Sequence, residues 1–378
     1  MLLDAMSLAM SLPRRVLITL DAVGGVWRYA LDLAHGLGER GIACHLVGFG
    51  PRPACAAEIA SMAACELTWL DEPLDWMVQD PALLEAGAAS LDRLSRDWRA
   101  DLLHLNLPSQ AALVASDLPI AVAAHSCLPT WWAAVRGGPL PQEWVWQHSL
   151  NRRGFDRAQC VLAPSASHGA ALARTYGEVK SRRIVANATE LRPLKKEKDP
   201  FVLAAGRWWD DGKNGAVLDI AAASAPWPVV MAGPLASPLA GPNATRLTLA
   251  HAIAAGELPS HEMQDLMRRA AVFAAPSRYE PFGLAVLEAA MNGAALLLAD
   301  IATFRELWDG AALFVSPSRP EEFAQAMAGL AGSPSLRQEL GARARARAES
   351  LTPARQIDAL LAAYAEIIAA RPRTSKAA

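Results

Sequence analysis

Two carboxylates, Glu280 and Glu288, lie eight positions apart in the run Pro276-Ser277-Arg278-Tyr279-Glu280-Pro281-Phe282-Gly283-Leu284-Ala285-Val286-Leu287-Glu288. The spacing puts Glu280 just before a helix and Glu288 on its flank. Pro281 and Gly283 form a turn between them that bares backbone N–H groups. The helix is predicted over Phe282–Met291, with Asn292-Gly293 as its stop. A helix N-terminus leaves amides unpaired and carries partial positive charge, so it suits phosphate and sugar oxygens. Glu280 can accept hydrogen bonds from hydroxyls at that end. Glu288 can grip a second polyol, such as a ribose. Two carboxylates beside free amides fit a nucleotide-sugar site.

Anion chemistry recurs elsewhere. Gly206-Arg207 closes an apolar strand, and Lys213-Asn214 follows shortly after. A guanidinium binds two oxygens and an ammonium adds a point charge, which together suit a diphosphate. Gly24-Gly25 follows the first strand and opens the first helix. Glycine there lets a ligand approach the backbone; a tight strand-to-helix turn is the plainer reading. The pair is not G-x-G-x-x-G, which argues against a nicotinamide or flavin site. His125 follows the apolar strand Ile120–Ala124 and is expected to face a cleft. It can meet a sugar hydroxyl or a developing charge, or serve as a structural histidine. His104 reads as structural. No histidine spacing suits a metal, and no D-x-D signature is present. Glu306 either caps or braces the nucleotide loop or is a surface carboxylate.

Twelve tryptophans is a rich count, and Trp131, Trp132, Trp144 and Trp146 cluster after His125. Aromatic faces stack on sugars, line apolar acceptor sites or face membranes; packing of a helical flap is the simpler account. Trp208-Trp209 either shapes the donor pocket or packs there. Contact with the inner face of a membrane through Trp131-Trp132, Arg136, Arg152 and Arg153 stays open as a reading.

The elements that must position these groups alternate. Arg15–Leu20 is a buried strand, Val26–Gly38 a helix and Ala43–Phe49 a second strand, which makes a βαβ unit. Strands follow at Leu102–Leu105, Ile120–Ala124 and Cys160–Ala163. A polar, proline-bearing linker spans 190–200, and the alternation restarts. Strands are predicted at Phe201–Ala205, Val229–Ala232, Leu247–Leu249, Val272–Ala275 and Ala295–Ala299. Helices are predicted at Asn214–Ala223, Met263–Ala270, Pro320–Ala331, Pro334–Ser350 and Pro353–Ala370, before a frayed tail. Two Rossmann-like halves facing each other make a cleft at the strand C-termini, where α/β proteins bind ligands. The domains are read as 1–190, 191–352 and 353–378.

The totals agree. In 378 residues, 52% are apolar and 20% charged, enough for sizeable cores. A formal net charge of −2 demands no nucleic acid as partner. Five cysteines without a C-x-x-C pair point to a reducing cytoplasm. Met1–Leu12 reads poorly as a signal peptide, and no window resembles a spanning helix.

Assembled in order, these residues make the chain resemble the retaining glycosyltransferases of family 4, which have the GT-B fold. The resemblance spans about Arg14 to Ala369. Glu280-x7-Glu288 is its most specific part, joined by Gly24-Gly25, His125-Ser126, Ala163-Pro164-Ser165, Asn187, Gly206-Arg207, Lys213-Asn214 and Ala232-Gly233-Pro234. It implies that Glu280 contacts the donor sugar near the reacting carbon and Glu288 the ribose hydroxyls. Phe282, Gly283 and Leu284 would offer amides to sugar and phosphate. Arg207 and Lys213 would neutralise the diphosphate, with Gly24 and Gly25 closing over it and His125 beside the sugar. Backbone around Gly233 and Leu258 would hold the base. The last helix would cross back to the first half. No cofactor or metal is implied; the donor is a uridine- or guanosine-diphosphate sugar. The acceptor is a glycan, glycolipid or small molecule. The chain departs from the family at Asn187-Ala188, where Asn-Gly is usual, and in the longer loop Trp208-Trp209-Asp210-Asp211-Gly212. The alternatives are a nucleotide-sugar epimerase of the same fold, with a phosphorylase as a weaker variant lacking a lysine context, or a non-catalytic sugar-nucleotide-binding partner.

Overall fold

A computed structural model describes residues 12–53, 56, 65–190, 197–237 and 245–370. The expected start at Met1–Leu12, the middle of the linker, Cys55 and the tail after Ala370 lie wholly or mostly outside the described residues.

The first half runs β1 (Arg15–Asp21), α1 (Gly25–Glu39), β2 (Ala43–Phe49), β3 (Glu66–Trp69), α2 (Glu85–Asp97), β4 (Leu102–Leu105), α3 (Pro108–Leu113) and β5 (Ile120–Ala123). It continues with α4 (Leu128–Val135), α5 (Val145–Arg157), β6 (Cys160–Ala163), α6 (Ala166–Tyr176) and β7 (Arg182–Ile184). Its seven strands form one parallel sheet in the order β3-β2-β1-β4-β5-β6-β7. Buried on both faces, the central strands are continuous apolar runs. Alternate residues of β1 serve opposite layers: Val16, Ile18 and Leu20 pack under α1, and Leu17 packs with Val47, Leu103 and Leu105 on the other side.

The second half holds β8 (Asp199–Ala205), α7 (Gly215–Ala222), β9 (Val229–Ala232), β10 (Ile253–Gly256), α8 (Ser260–Arg269) and β11 (Ala270–Ala275). Then come α9 (Leu284–Met291), β12 (Ala295–Ala299), α10 (Ala302–Trp308), β13 (Ala312–Val315), α11 (Pro320–Gly332) and α12 (Pro334–Ala348). Its parallel sheet has the order β10-β9-β8-β11-β12-β13. The last helix, α13 (Pro353–Ala369), returns to the first half. Ile357, Leu360 and Tyr364 join the core under β1 and α1. Tyr364 Oη and His104 Nδ1 are 2.6 Å apart. The two passages of the chain between halves touch, Thr189 N donating to Leu351 O at 3.3 Å.

The strand predicted at Leu247–Leu249 does not form. The Asp219 carboxylate accepts the backbone N–H groups of Ala250, His251 and Ala252 at 2.8–3.2 Å. Those donors are turned from the sheet, and the sixth strand is β10 instead. The edge strands β3, β7 and β13, and β10 itself, are short and mostly half-buried or exposed, so they lack a buried run. Ala270, predicted to end a helix, opens β11. The cysteines among the described residues, Cys44, Cys65, Cys127 and Cys160, are free thiols. Among the described residues no helix is long and apolar enough to cross a membrane.

Candidate active site

The strand tips of the second half are stitched by backbone. Gly206 N donates to Ala232 O at 3.1 Å and Gly233 N to Gly256 O at 2.6 Å. Gly233 has φ +115°, and a Cβ there would lie 2.0 Å from Gly206 O, so only glycine fits. Leu258, two positions beyond β10, is half-buried against the second core.

Arg207 leaves the tip of β8 and crosses the cleft. Its guanidinium sits 5.5 Å above the Trp209 ring and donates through Nη1 to Val23 O of the first half at 3.2 Å. Trp208 instead is buried, its indole N–H bonded to Ala232 O at 2.9 Å. The loop then turns on Asp210, and Lys213 Nζ meets Glu280 Oε2 at 2.5 Å. Asn214, in the left-handed region at φ +58°, donates to Pro276 O at 2.9 Å and Pro317 O at 2.7 Å. It thereby bolts the basic loop to the acidic one. The family order marked Asn214 without this role.

Gly283, at φ +94°, caps α9, which starts at Leu284 rather than at the predicted Phe282. Phe282 is buried and anchors the turn. The first amides of α9 have no acceptor within the helix. Glu288 is half-buried on the flank of α9 and interacts electrostatically with Arg28 of α1 across the cleft.

The first half supplies the opposing wall. Gly24, at φ +104°, lies so near Arg207 that a Cβ would stand 3.1 Å from Nη1. A Cβ on Gly25 would be 3.2 Å from Leu284 Cδ1. The glycine pair therefore faces both Arg207 and the start of α9. Asp21 holds this turn, accepting Val23 N at 2.8 Å. Burial pushes its carboxyl up to about 6, against the pull of the Val23 amide and Arg207. The carboxylate of Asp21 thus braces the glycine loop.

His125 stands beyond β5 with its ring nitrogen Nε2 2.7 Å from Asn106 Oδ1 and Tyr29 edge-on at 4.5 Å. Asn106 spends its amide protons on Thr19 O, so Oδ1 is the acceptor. This assigns the proton to Nε2 and leaves Nδ1 as an acceptor. Burial, and to a lesser degree His168, push its pKa down to about 4. The ring is neutral near pH 7 and suited to accept from a hydroxyl. His104, wedged between Tyr29 Oη at 3.2 Å and Tyr364 Oη, is structural.

The halves are clasped around the site. Tyr279 Oη bonds Thr130 Oγ1 at 2.8 Å, and Ser165 Oγ donates to Pro281 O at 2.7 Å. Glu306 does not brace a nucleotide loop. It caps α6 of the opposite half, accepting the amides of Ala166 and Ser167 at 2.7 and 2.6 Å. Trp131 donates to Asp210 Oδ1 at 2.8 Å, and Arg136 pairs with Asp211. These two members of the Trp/Arg cluster thus serve the contact between halves.

A cavity of about 670 Å³ opens beside Glu280, walled by α4, α5 and α6 on one side and residues 278–280 and 301–303 on the other. It is large enough for a drug-sized or disaccharide-sized ligand. Among the described residues, no three His, Cys, Asp or Glu side chains gather as a metal ion would need.

Two family models match, Glycosyltransferase Family 4 over residues 23–188 and Glycosyl transferases group 1 over residues 189–347. No curated protein matches. Among solved structures, the chain is similar to sucrose-phosphate synthase from Thermosynechococcus elongatus, with TM-score 0.77 and 17% identity over 95% of this chain and 100% of that one. Anabaena Alr3699/HepE in complex with UDP-glucose gives TM-score 0.71 and 16% identity over 92% and 98% of the two chains. A glycosyltransferase from Rickettsia africae ESF-5 gives 0.69 and 14% over 94% and 99%.

Proposed function

Because the chain belongs to the family 4-like glycosyltransferases of GT-B fold, we propose that it moves a hexose, with retained configuration, from a nucleoside-diphosphate sugar to an acceptor hydroxyl. The convergence of Arg207, Lys213 and Glu280 with Gly24 across the cleft carries this reading.

In this reaction the bond from the anomeric carbon to the diphosphate oxygen breaks, and its electron pair leaves with the diphosphate. Arg207, Lys213 and the amides at the start of α9 stabilise that charge as it develops, held ready in place. The acceptor oxygen bonds the anomeric carbon on the face the diphosphate leaves. Its proton passes to a leaving phosphate oxygen. No covalent enzyme intermediate is needed. Glu280, oriented by Lys213, accepts from donor-sugar hydroxyls, and His125 Nδ1 accepts from another. Glu288 holds the ribose, and backbone near Gly233 and Leu258 holds the base. Closure of the halves excludes water that would hydrolyse the donor.

UDP-glucose is the first donor to test, since Anabaena HepE binds it; GDP-sugars fit the same backbone-held base. Domain boundaries after residues 190 and 352, and a reducing cytoplasmic setting for the free thiols, complete the reading.

A thermal-shift screen with UDP, GDP and their sugars should raise the melting temperature with one base. Arg207→Ala should then lower the transfer rate by about 10²-fold or more, and Glu280→Gln should abolish transfer. Full activity in both variants would sink the site assignment.

A further inference from the structure

The cavity beside Glu280 has a chemical bias. Its apolar wall includes Trp132, Leu140, Val145 and Ala171. Two guanidiniums line it as well, Arg174 from α6 and Arg278 from the loop before Glu280. Neither side chain has a hydrogen bond or ion pair among the described residues. Glu280, the carboxylate among the lining residues, is bonded to Lys213, so it does not neutralise them. Helical spacing places Ser167, Ala171 and Arg174 along one face of α6. Arg174 therefore stands about 10 Å along the helix axis from Ser167. The Ser167 end is the one clasped to Glu306 and, through Ser165, to Pro281.

His168 borders the same cavity but is 2% exposed, with both ring nitrogens buried away from it and the Ala124 backbone acting on the ring. It gives the wall packing surface, so recognition of a charged group falls to the two arginines.

Resting on the reading of the cleft as a glycosyl-transfer site, we propose that the acceptor is an acid. Its hydroxyl reaches the Glu280 end, and its body packs on Trp132 and Val145. Its phosphate or carboxylate is held by Arg174 and Arg278. Guanidiniums recognise such groups bidentately, and an anion would exchange the water held by these two exposed side chains for ion pairs, which an uncharged acceptor does not offer.

The test is calorimetric titration of the full chain saturated with UDP, so that the donor phosphate site is filled. Two probe pairs separate an acid on a sugar from an acid on a lipid: glucose 6-phosphate against glucose, and octyl phosphate against octyl glucoside. In at least one pair the acid should bind tenfold or more tighter than its uncharged partner. Arg174→Gln and Arg278→Gln should each weaken that acid at least fivefold, with the Kd for UDP unchanged within twofold. Equal binding within both pairs, or no binding of either acid, overturns the proposal. So does an acid preference that survives in both arginine variants. Inorganic phosphate binding as tightly as the esters also overturns it, since the organic body would then be unrecognised. If UDP does not bind, GDP takes its place in the same titration; failure of both to bind would instead sink the donor reading.

Discussion

Burial fixes the charge state of several side chains around the cleft. His104 is pushed down to about 3, and His125 and His168 to about 4, each chiefly by burial. An unfolded histidine titrates near 6.5. Between pH 6.5 and 4 the unfolded chain therefore binds protons that the folded one refuses. The stability these rings permit is full above pH 6.5 and is lost as pH falls toward 4. Asp21 works oppositely: raised to about 6, it makes the fold lose stability as pH rises from about 4 to 6. Burial lowers His45 in the sense of the three rings and raises Asp32 and Asp75 in the sense of Asp21. The histidines outweigh the carboxyls between pH 7 and 5, because unfolded aspartates titrate below that window. The urea midpoint should fall from pH 7 to 5, with each histidine contributing up to about 1.4 kcal/mol per pH unit. His104→Gln, which alters a ring held between Tyr29 and Tyr364 in the core, should show a shallower fall. A flat profile in the parent protein would refute these assignments. At this scale the sequence revealed the residues whose type announces their chemistry: Arg207, Lys213, Glu280 and the glycines. It hid Asp21, Asn106 and Asp210, which act through partners that only folding brings near. Glu306 was legible as a cap, but not which helix it caps.

Among the elements, α4 and the loop 207–213 are coupled through one carboxylate. Asp210 takes the Trp131 indole and the Gly212 amide at 2.8 Å each on Oδ1. Its Oδ2 lies 3.4 Å from Arg207. The backbone of Lys213 also donates to Asp210 O at 2.8 Å. The helix that walls the cavity thus steadies Arg207 and Lys213. Trp131→Phe and Asp210→Asn should each lower kcat about tenfold, or about 1.4 kcal/mol. The double variant should be no worse than the poorer single one. Fully additive losses in a double-mutant cycle would show that the two side chains act separately. Buried parallel strands were legible because they are unbroken apolar runs. Leu247–Leu249 misled because its pattern is apolar while Asp219 draws away the amides that follow. Loop 208–212 was visible as an extra length, but its grip on Trp131 was not.

Across the whole molecule, α13 joins the end of the chain to its beginning. Gly36 on α1 permits this: a Cβ there would stand 2.6 Å from Ile357 Cγ1. Glycine-to-alanine in a helix ordinarily stabilises by about 0.5–1 kcal/mol. Crowding of a packed core costs about 1–3 kcal/mol and should win here. Gly36→Ala should therefore lower the thermal midpoint, and adding Ile357→Val should recover part of the loss. A more stable Gly36→Ala protein would mean that α13 does not dock as described. Alternation of strands and helices announced two sheets. That the halves face each other across a cleft was legible too. The contacts that fasten them were not, because Ser165–Pro281, Thr130–Tyr279 and Glu306–Ala166 join residues more than a hundred positions apart.

The bond from Thr189 to Leu351 has a mechanical meaning. A slab tethered to another by one strand of chain can twist and slide in any direction. Tethered by two strands fastened side by side, it behaves like a door on a hinge, and swinging is its easy motion. The Arg207–Val23 bond joins the two leaves of that door. A swing that opens the door must break it, and each return brings the same two faces together.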